Sequence, residues 1–463
     1  MHAKRSWRHG AAALVVLNMV LAVAIVAVRS SQGGPAVGLD RAPSAAGQPG
    51  QILGTGDGAS TTTTGLASGA TATGARVSPK AGAHSTASAH ASTVSAPGDL
   101  RNPADLARWR AAVADRASHP ADVVVVGDSI TEGYFVTDQD RWISQLRRDL
   151  QGALDPAGTP GGEGFIPAWH LSRPTSGSIP EWSQRWSVQG FPSTWDDSGY
   201  GLARRALVFT STSESAAINI TGDRFWLAYT EGPNGGLLRV NVDGGAPAIV
   251  DTRASTARSG RIWDSGSLAR GPHTVSVTAL GGSQTVLDGI MAFDGDGGGA
   301  PDQGKGIRVW DGGHSRYTST EFGGEPTANW ADGLDNIRPD LVVIELGAND
   351  QFFGHPPDVM AANLTHIVQL VRDHARASGA PLPSIALMPV WAAGNQSEPA
   401  WENYRNAILN VADTQGCAVL DIWNEVHQAP AKPGPDSLFL DVIHPSVAGH
   451  RWLGDLTARL LQS

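Results

Sequence analysis

Two hydrophobic periodicities divide the chain. The short segments Asp122-Val-Val-Val-Val126, Leu341-Val-Val-Ile-Glu-Leu346, Ser384-Ile-Ala-Leu-Met388 and Cys417-Ala-Val-Leu-Asp-Ile422 each contain a run of at least three apolar residues in succession. Such runs predict strands buried on both faces of a parallel sheet. Between them lie stretches of helical period. A short helix is expected over 103–116. The next carries Trp142, Ile143, Leu146 and Leu150 on one stripe, and another runs from Pro357 to Ala377 with Met360, Leu364, Ile367, Leu370 and Val371. Further helices are expected at 398–415 and from the His444-Pro445 segment through Leu460. Strands alternating with helices of this length predict an α/β fold with helices on both faces of the sheet.

The middle of the chain has a different period. Ala217–Ile220, Phe225–Tyr229, Leu238–Val242, Thr274–Ala279 and Thr285–Met291 are short strand-like runs, the clearest alternating apolar with polar. Asp243-Gly-Gly245, Arg270-Gly-Pro272 and Gly281-Gly282 supply turns between them. Period-two runs at this spacing predict an antiparallel β-sandwich over about 200–295, inserted into the α/β body. An irregular, Trp-rich stretch from 160 precedes it. Trp226, inside a strand run, is expected in the core. Trp182, Trp186 and Trp195 are candidate walls of a substrate site, because flat aromatic faces suit binding surfaces.

At the N-terminus Lys4, Arg5 and Arg8 precede an apolar stretch from Ala11 to Val28. Eighteen residues at about 1.5 Å rise span roughly the hydrocarbon thickness of a bilayer. The basic flank predicts that the remainder is exported, and the long apolar core favours an uncleaved membrane anchor over a cleaved signal. Residues 30–100 are dominated by Ser, Thr, Ala, Gly and Pro, a composition expected to form a disordered linker. The expected organisation is therefore an anchor or signal (1–29), a linker (30–100), an α/β domain in two parts (101–157 and 300–463) and an inserted β-sandwich (158–299). The expected location is the cell envelope or the extracellular space.

Charge narrows the partners. The chain carries 34 basic and 44 acidic residues, with seven basic and three acidic in the first 100, leaving 27 basic and 41 acidic beyond. An acidic body without Lys/Arg clusters argues against a nucleic-acid partner. The single cysteine, Cys417, makes no intrachain disulfide and is expected to be buried in its strand. No His-x-x-x-His or other ligand spacing points to a metal, and no cofactor is implied.

Three polar motifs stand in order: Gly127-Asp128-Ser129, Gly347-Ala348-Asn349-Asp350 and Asp441-x-x-His444. The first two directly follow strands, where sites form in open α/β sheets. A serine hydroxyl is a poor nucleophile at neutral pH and needs an adjacent base. A histidine can accept that proton and return it to the leaving group, and a carboxylate on its other nitrogen fixes the tautomer. Asp441, three residues before His444, can meet that need within one short loop. The Gly-x-Ser-x-Gly elbow of α/β-hydrolases is absent around Ser129.

In this order and on these elements the motifs resemble the SGNH/GDSL hydrolases, over about 101–157 and 300–463. The resemblance implies a flavodoxin-like three-layer fold, with Ser129 as nucleophile, His444 as base and Asp441 as its orienting acid. It further implies an oxyanion hole from the Ser129 backbone N–H, the Asn349 amide and one loop N–H. That last donor is either Arg316, where the family usually has glycine, or Gly313. The insertion looks like the jelly-roll modules of some carbohydrate esterases. The expected activity is hydrolysis of acyl, foremost O-acetyl, esters on a carbohydrate or envelope polysaccharide. A lipid or long-chain acyl esterase, an O-acyltransferase and a non-catalytic glycan binder are the alternatives. Oligomeric state is not legible.

Overall fold

A computed structural model of the chain describes residues 99–169, 185–190, 193–195, 200–297, 303–324, 329–392, 398–426 and 437–463. The expected anchor (1–29) and all of the expected linker except its last two residues lie outside the described residues, and Leu100, expected in that linker, instead opens a strand. Among the described residues no helix is long and apolar enough to cross a membrane.

The α/β part is built on six strands: β1 (Leu100–Arg101), β2 (Pro120–Gly127), β3 (Gly306–Gly313), β4 (Leu341–Glu345), β5 (Ser384–Leu387) and β6 (Ala418–Leu420). Their order across the sheet is β1-β6-β5-β4-β2-β3. All neighbours are parallel except β1, which runs antiparallel to β6. In chain order the five parallel strands read 2-1-3-4-5, the flavodoxin-like order, with its switch point between β2 and β4. The continuous valine run explains the central place of β2, because all eight of its residues are buried. Helices α1 (Ala107–Asp115), α2 (Ser129–Glu132), α3 (Trp142–Leu154), α4 (Ala348–Phe353), α5 (Pro357–Ser378), α6 (Glu398–Gln415) and α7 (Val447–Gln462) fill the connections. Helix α3 packs on α7, and α5 on α6. Cys417, expected in the core, is fully buried, and burial raises its thiol pKa to about 11.

Between α3 and β3 the chain forms two antiparallel sheets. One orders Ala248–Asp251, Leu237–Val242, Gly271–Gly281, Ser215–Gly222 and Trp186–Gln189. The other orders Arg258–Asp264, Arg224–Glu231, Thr285–Phe293, Ala206–Phe209 and Ser193–Trp195, and Gly164–Pro167 also pairs with Thr285–Phe293. Ile218, Ile220, Val275 and Val277 of the first sheet share a core with Phe225, Leu227, Leu287 and Ile290 of the second. The stretch from 160, expected to be irregular, contributes three strands. Their partners lie far along the chain, as in Phe165 opposite Met291, so local pattern did not reveal them.

The sandwich is fused to the α/β part through its second sheet. Trp226, Phe165 and Phe293 point away from the sandwich core and join Trp310 of β3, with Phe165 and Trp226 ring centroids 5.8 and 6.1 Å from that of Trp310. The Trp310 indole donates to the buried Asp122 of β2 at 2.7 Å.

Candidate active site

The strand-to-helix turn after β2 presents Ser129. Asp128 caps α2 by accepting the Ile130 N–H at 2.8 Å, so Ser129 stands at the first helical position. The turn is tight. A Cβ on Gly127 would lie 2.2 Å from Thr131 Oγ1 and 2.8 Å from Glu345 Oε2, so only glycine fits. Glu345, at the end of β4, accepts from the Thr131 hydroxyl at 2.8 Å and sits beneath this turn. Burial raises the pKa of both Asp128 and Glu345, and the charge of Asp128 raises that of Glu345 further.

The loop before α7 delivers the second half. Asp441 Oδ1 accepts the backbone N–H groups of Ile443 and His444 at 2.9 and 2.7 Å. Its Oδ2 lies 2.8 Å from His444 Nδ1, and His444 Nε2 lies 3.0 Å from Ser129 Oγ. Residues 315 positions apart thus meet in one hydrogen-bonded line. Burial acts to raise the Asp441 pKa, but hydrogen bonds from the His444 ring and the two backbone N–H groups outweigh it and hold the carboxyl below its usual range. Tyr134 and Phe135 pack on the His444 ring, with centroids 4.8 and 5.6 Å away. Phe135 holds a left-handed φ of 70°, which is uncommon for a bulky residue.

A third wall is the loop after β3. Asn349, on the first turn of α4, donates one amide N–H to the Tyr317 carbonyl at 3.0 Å. A primary amide has two N–H groups, so a second remains for another acceptor. Ser319 donates its N–H to Asp350 at 2.9 Å and its hydroxyl at 2.6 Å. The His314 N–H bonds the Gly127 carbonyl at 2.9 Å. Between these clamps stands Arg316, exposed and with φ 72°, so arginine adopts here the conformation that glycine takes readily. Among the described residues the backbone N–H groups of Ser129 and Arg316 have no acceptor.

Of the two loop donors expected from sequence, Gly313 is corrected. Its N–H is already engaged by Asp311 Oδ1 at 2.9 Å. Its missing side chain instead permits the close approach of β3 to α2, since a Cβ there would lie 2.6 Å from the Glu132 nitrogen. Trp186 is also corrected. It is fully buried in the sandwich core, where its indole donates to the Pro167 carbonyl at 2.9 Å, and it cannot wall a substrate site. The inward position of a period-two strand decides this. Trp182 and the Trp195 side chain lie outside the described residues.

Sequence reasoning passed over Glu132 and Arg205. Glu132 lies three residues beyond Ser129, and its carboxylate meets the Arg205 guanidinium with Nη1 2.9 Å from Oε1 and Nη2 donating to Oε2 at 3.0 Å. The available signal was the pair Arg204-Arg205 directly ahead of the apolar run Ala206–Phe209, a place where a charge must find a buried partner.

Comparison with known proteins bears on the family and the fold. The family model described as GDSL-like lipase/acylhydrolase matches residues 276–452, a span that includes Asn349, Asp441 and His444. An arylesterase from Vibrio mimicus is 29% identical over 128 residues, or 28% of this chain. The chain spans 58% of that relative's length. A solved structure described as a peptidoglycan O-acetylesterase aligns with a TM-score of 0.58 at 14% identity, covering 79% of this chain and 98% of that one. That last likeness extends over the insertion as well as the α/β part and concerns fold alone. Residues 276–452 are thus similar to the GDSL-like lipase/acylhydrolase family, and in the fold a β-sandwich stands between the first parallel strand of the α/β sheet and the other four.

Proposed function

We propose that this chain is a serine ester hydrolase working through an acyl-serine intermediate. The observation that carries the reading is the line from Asp441 through His444 to Ser129 Oγ, with gaps of 2.8 and 3.0 Å. In this reading His444 takes the Ser129 proton as Oγ attacks the ester carbonyl, then returns it to the departing alcohol. Water repeats the sequence to release the acid. Asp441 holds the ring with Nε2 toward Ser129 and stabilises the imidazolium. The Ser129 and Arg316 N–H groups and the second Asn349 amide N–H receive the negative oxygen of the tetrahedral intermediate.

The proposed substrate is an O-acetyl ester on a carbohydrate or envelope polysaccharide. Three features support it: the expected export signal or anchor at 1–29, the sandwich built against the α/β part, and the aromatic pair Tyr134–Phe135 that crowds His444. The similar structure described as a peptidoglycan O-acetylesterase suggests the first polymer to try. The enzyme is proposed to act in the cell envelope or outside the cell, held by or released from its N-terminal segment.

Chromogenic acetyl, butyryl and palmitoyl esters test the reading, together with acetate release from acetylated polysaccharide. Acetyl turnover that disappears in Ser129→Ala supports it. Preference for palmitoyl would replace the carbohydrate substrate with a lipid one. Turnover undiminished in Ser129→Ala would end the mechanism altogether.

A further inference from the structure

We propose that Arg205, supplied by the inserted sandwich, is a positioning residue for the loop that carries the Arg316 oxyanion donor. This inference rests on the esterase reading above and deepens it. Arg205 stands at the entry of the strand Ala206–Phe209, and its guanidinium reaches out of the sandwich to Glu132 on α2. Both side chains are 2% exposed. Glu132 is shared: its Oε2 also accepts the backbone N–H of Ser315, the residue before Arg316. One carboxylate therefore ties the helix that begins with Ser129 to the loop that carries Arg316, and an arginine from another module fixes that carboxylate.

The surroundings hold the arginine in place. Its guanidinium lies over the Trp169 ring, 4.5 Å from the centroid. The neighbouring Arg204, itself at φ 55°, lies over the Tyr317 ring at 5.4 Å and donates to the Glu321 carbonyl. Two consecutive arginines of the sandwich thus grip the same loop, one through Glu132 and Ser315, the other through Tyr317 and Glu321. The loop needs such support because Arg316 occupies a backbone conformation that disfavours any residue with a Cβ. Left to itself, the 314–317 segment would relax toward negative φ and turn the Arg316 N–H away from its present direction. Removing the Arg205 fork would also weaken the hold on the Glu132 carboxylate, and through it on Ser315. Either change weakens stabilisation of the oxyanion, which exists only after attack, and leaves ground-state binding of the ester intact.

The expected signature is therefore a fall in kcat at constant KM. In Arg205→Met we expect kcat for a soluble acetyl ester to fall about 10–100-fold, less than the about 10²–10³-fold typical of deleting a donor outright. KM should stay within about twofold. The inhibition constant of an alkyl boronic acid, which forms a tetrahedral adduct on the serine, should rise in step with the kcat loss. Arg205→Lys keeps the charge without the fork and should recover part of kcat. All assays are run on the full chain at a temperature where circular dichroism shows each variant folded. If Arg205→Met does not fold, the lysine variant is read instead, with a kcat loss of about 3–10-fold at constant KM as the expected result. A folded variant with unaltered kcat, or a loss confined to KM, or boronate inhibition that does not follow kcat, overturns the inference. Failure of the esterase reading itself would show elsewhere, as turnover surviving Ser129→Ala.

Discussion

The parallel sheet and the sandwich bury their strands in different ways, and the difference determines where chemistry can sit. In the sheet, Pro120–Gly127 is buried at every position, so polar groups appear only where the strand ends. Ser129 follows β2 and Asn349 follows β4, the two strands that flank the switch point. In the first sheet of the sandwich, Ser215–Gly222 buries alternate residues, and its polar side chains spread along the outer face rather than gathering at one edge. One region concentrates reactive groups by topology, whereas the other offers a rigid wall. Among the described residues the sandwich reaches the site where side chains leave it, as Arg204 and Arg205 do. On this view, substitutions at the strand ends should change rate, and substitutions in the sandwich core should change stability.

The largest expected effect is at the strand ends. Ser129→Ala and His444→Ala should each lower kcat by about 10⁴–10⁶-fold with little change in thermal midpoint. Near-normal turnover by either purified variant would contradict the proposed roles. The mirror case is Trp186→Ala, which removes a fully buried indole and its bond to Pro167. It should cost about 3–5 kcal/mol of stability, read as a drop in the urea midpoint. Its kcat, measured where the protein is folded, should match that of the parent. A selective loss of kcat would return Trp186 to the substrate wall and dissolve the contrast. Asn349→Ala comes next. It deletes the amide that bonds Tyr317 and the N–H left for the oxyanion, and kcat should fall about 10²–10³-fold at constant KM. A loss under about threefold would remove Asn349 from the oxyanion hole.

The same contrast explains what could be read from sequence. Strands buried on both faces announce themselves as apolar runs, and the residues just past them are few, so Ser129 and Asn349 stood out. Asp441 and His444 are three residues apart, and a bond of 2.8 Å between them is within reach of one loop. The pair Glu132–Arg205 is 73 residues apart and crosses between modules, so no local pattern encodes it. Trp186 shows a different limit. Its type suits either a binding face or a core, and only its register opposite Ile218 sends it inward. Arg316 shows a third, because backbone conformation at a loop residue depends on clamps such as Tyr317–Asn349 and Ser319–Asp350 that lie elsewhere in the chain.

The smallest expected effect asks whether the two regions differ in electrostatics as they do in strand burial. Each holds a buried carboxyl pushed up to about 7. Asp122 in β2 is raised by burial, against the opposing pull of Arg308 and the Trp310 indole. Asp288 in the sandwich is raised by burial, against hydrogen bonds from Gly260 and Thr230. Unfolding returns both to about 3.8, so between about pH 4 and 7 the unfolded chain releases protons that the native state retains. Stability contributed by these groups therefore falls as pH rises through that window and is level above it. Asp441 and Asp138 act with the opposite sign, because their lowered native values add stability above about pH 4 that is lost on acidification below it. Together these four groups favour mildly acid solution, while His450, whose pKa burial lowers to about 3, opposes them below about pH 6.5. The urea midpoint should be lower at pH 8 than at pH 5, and if the sandwich and the α/β part unfold in separate steps, both steps should shift the same way. A shift in one step alone would mean that the buried carboxyl of the other region is charged in the native state, and an overall rise toward pH 8 would reverse the sign for both.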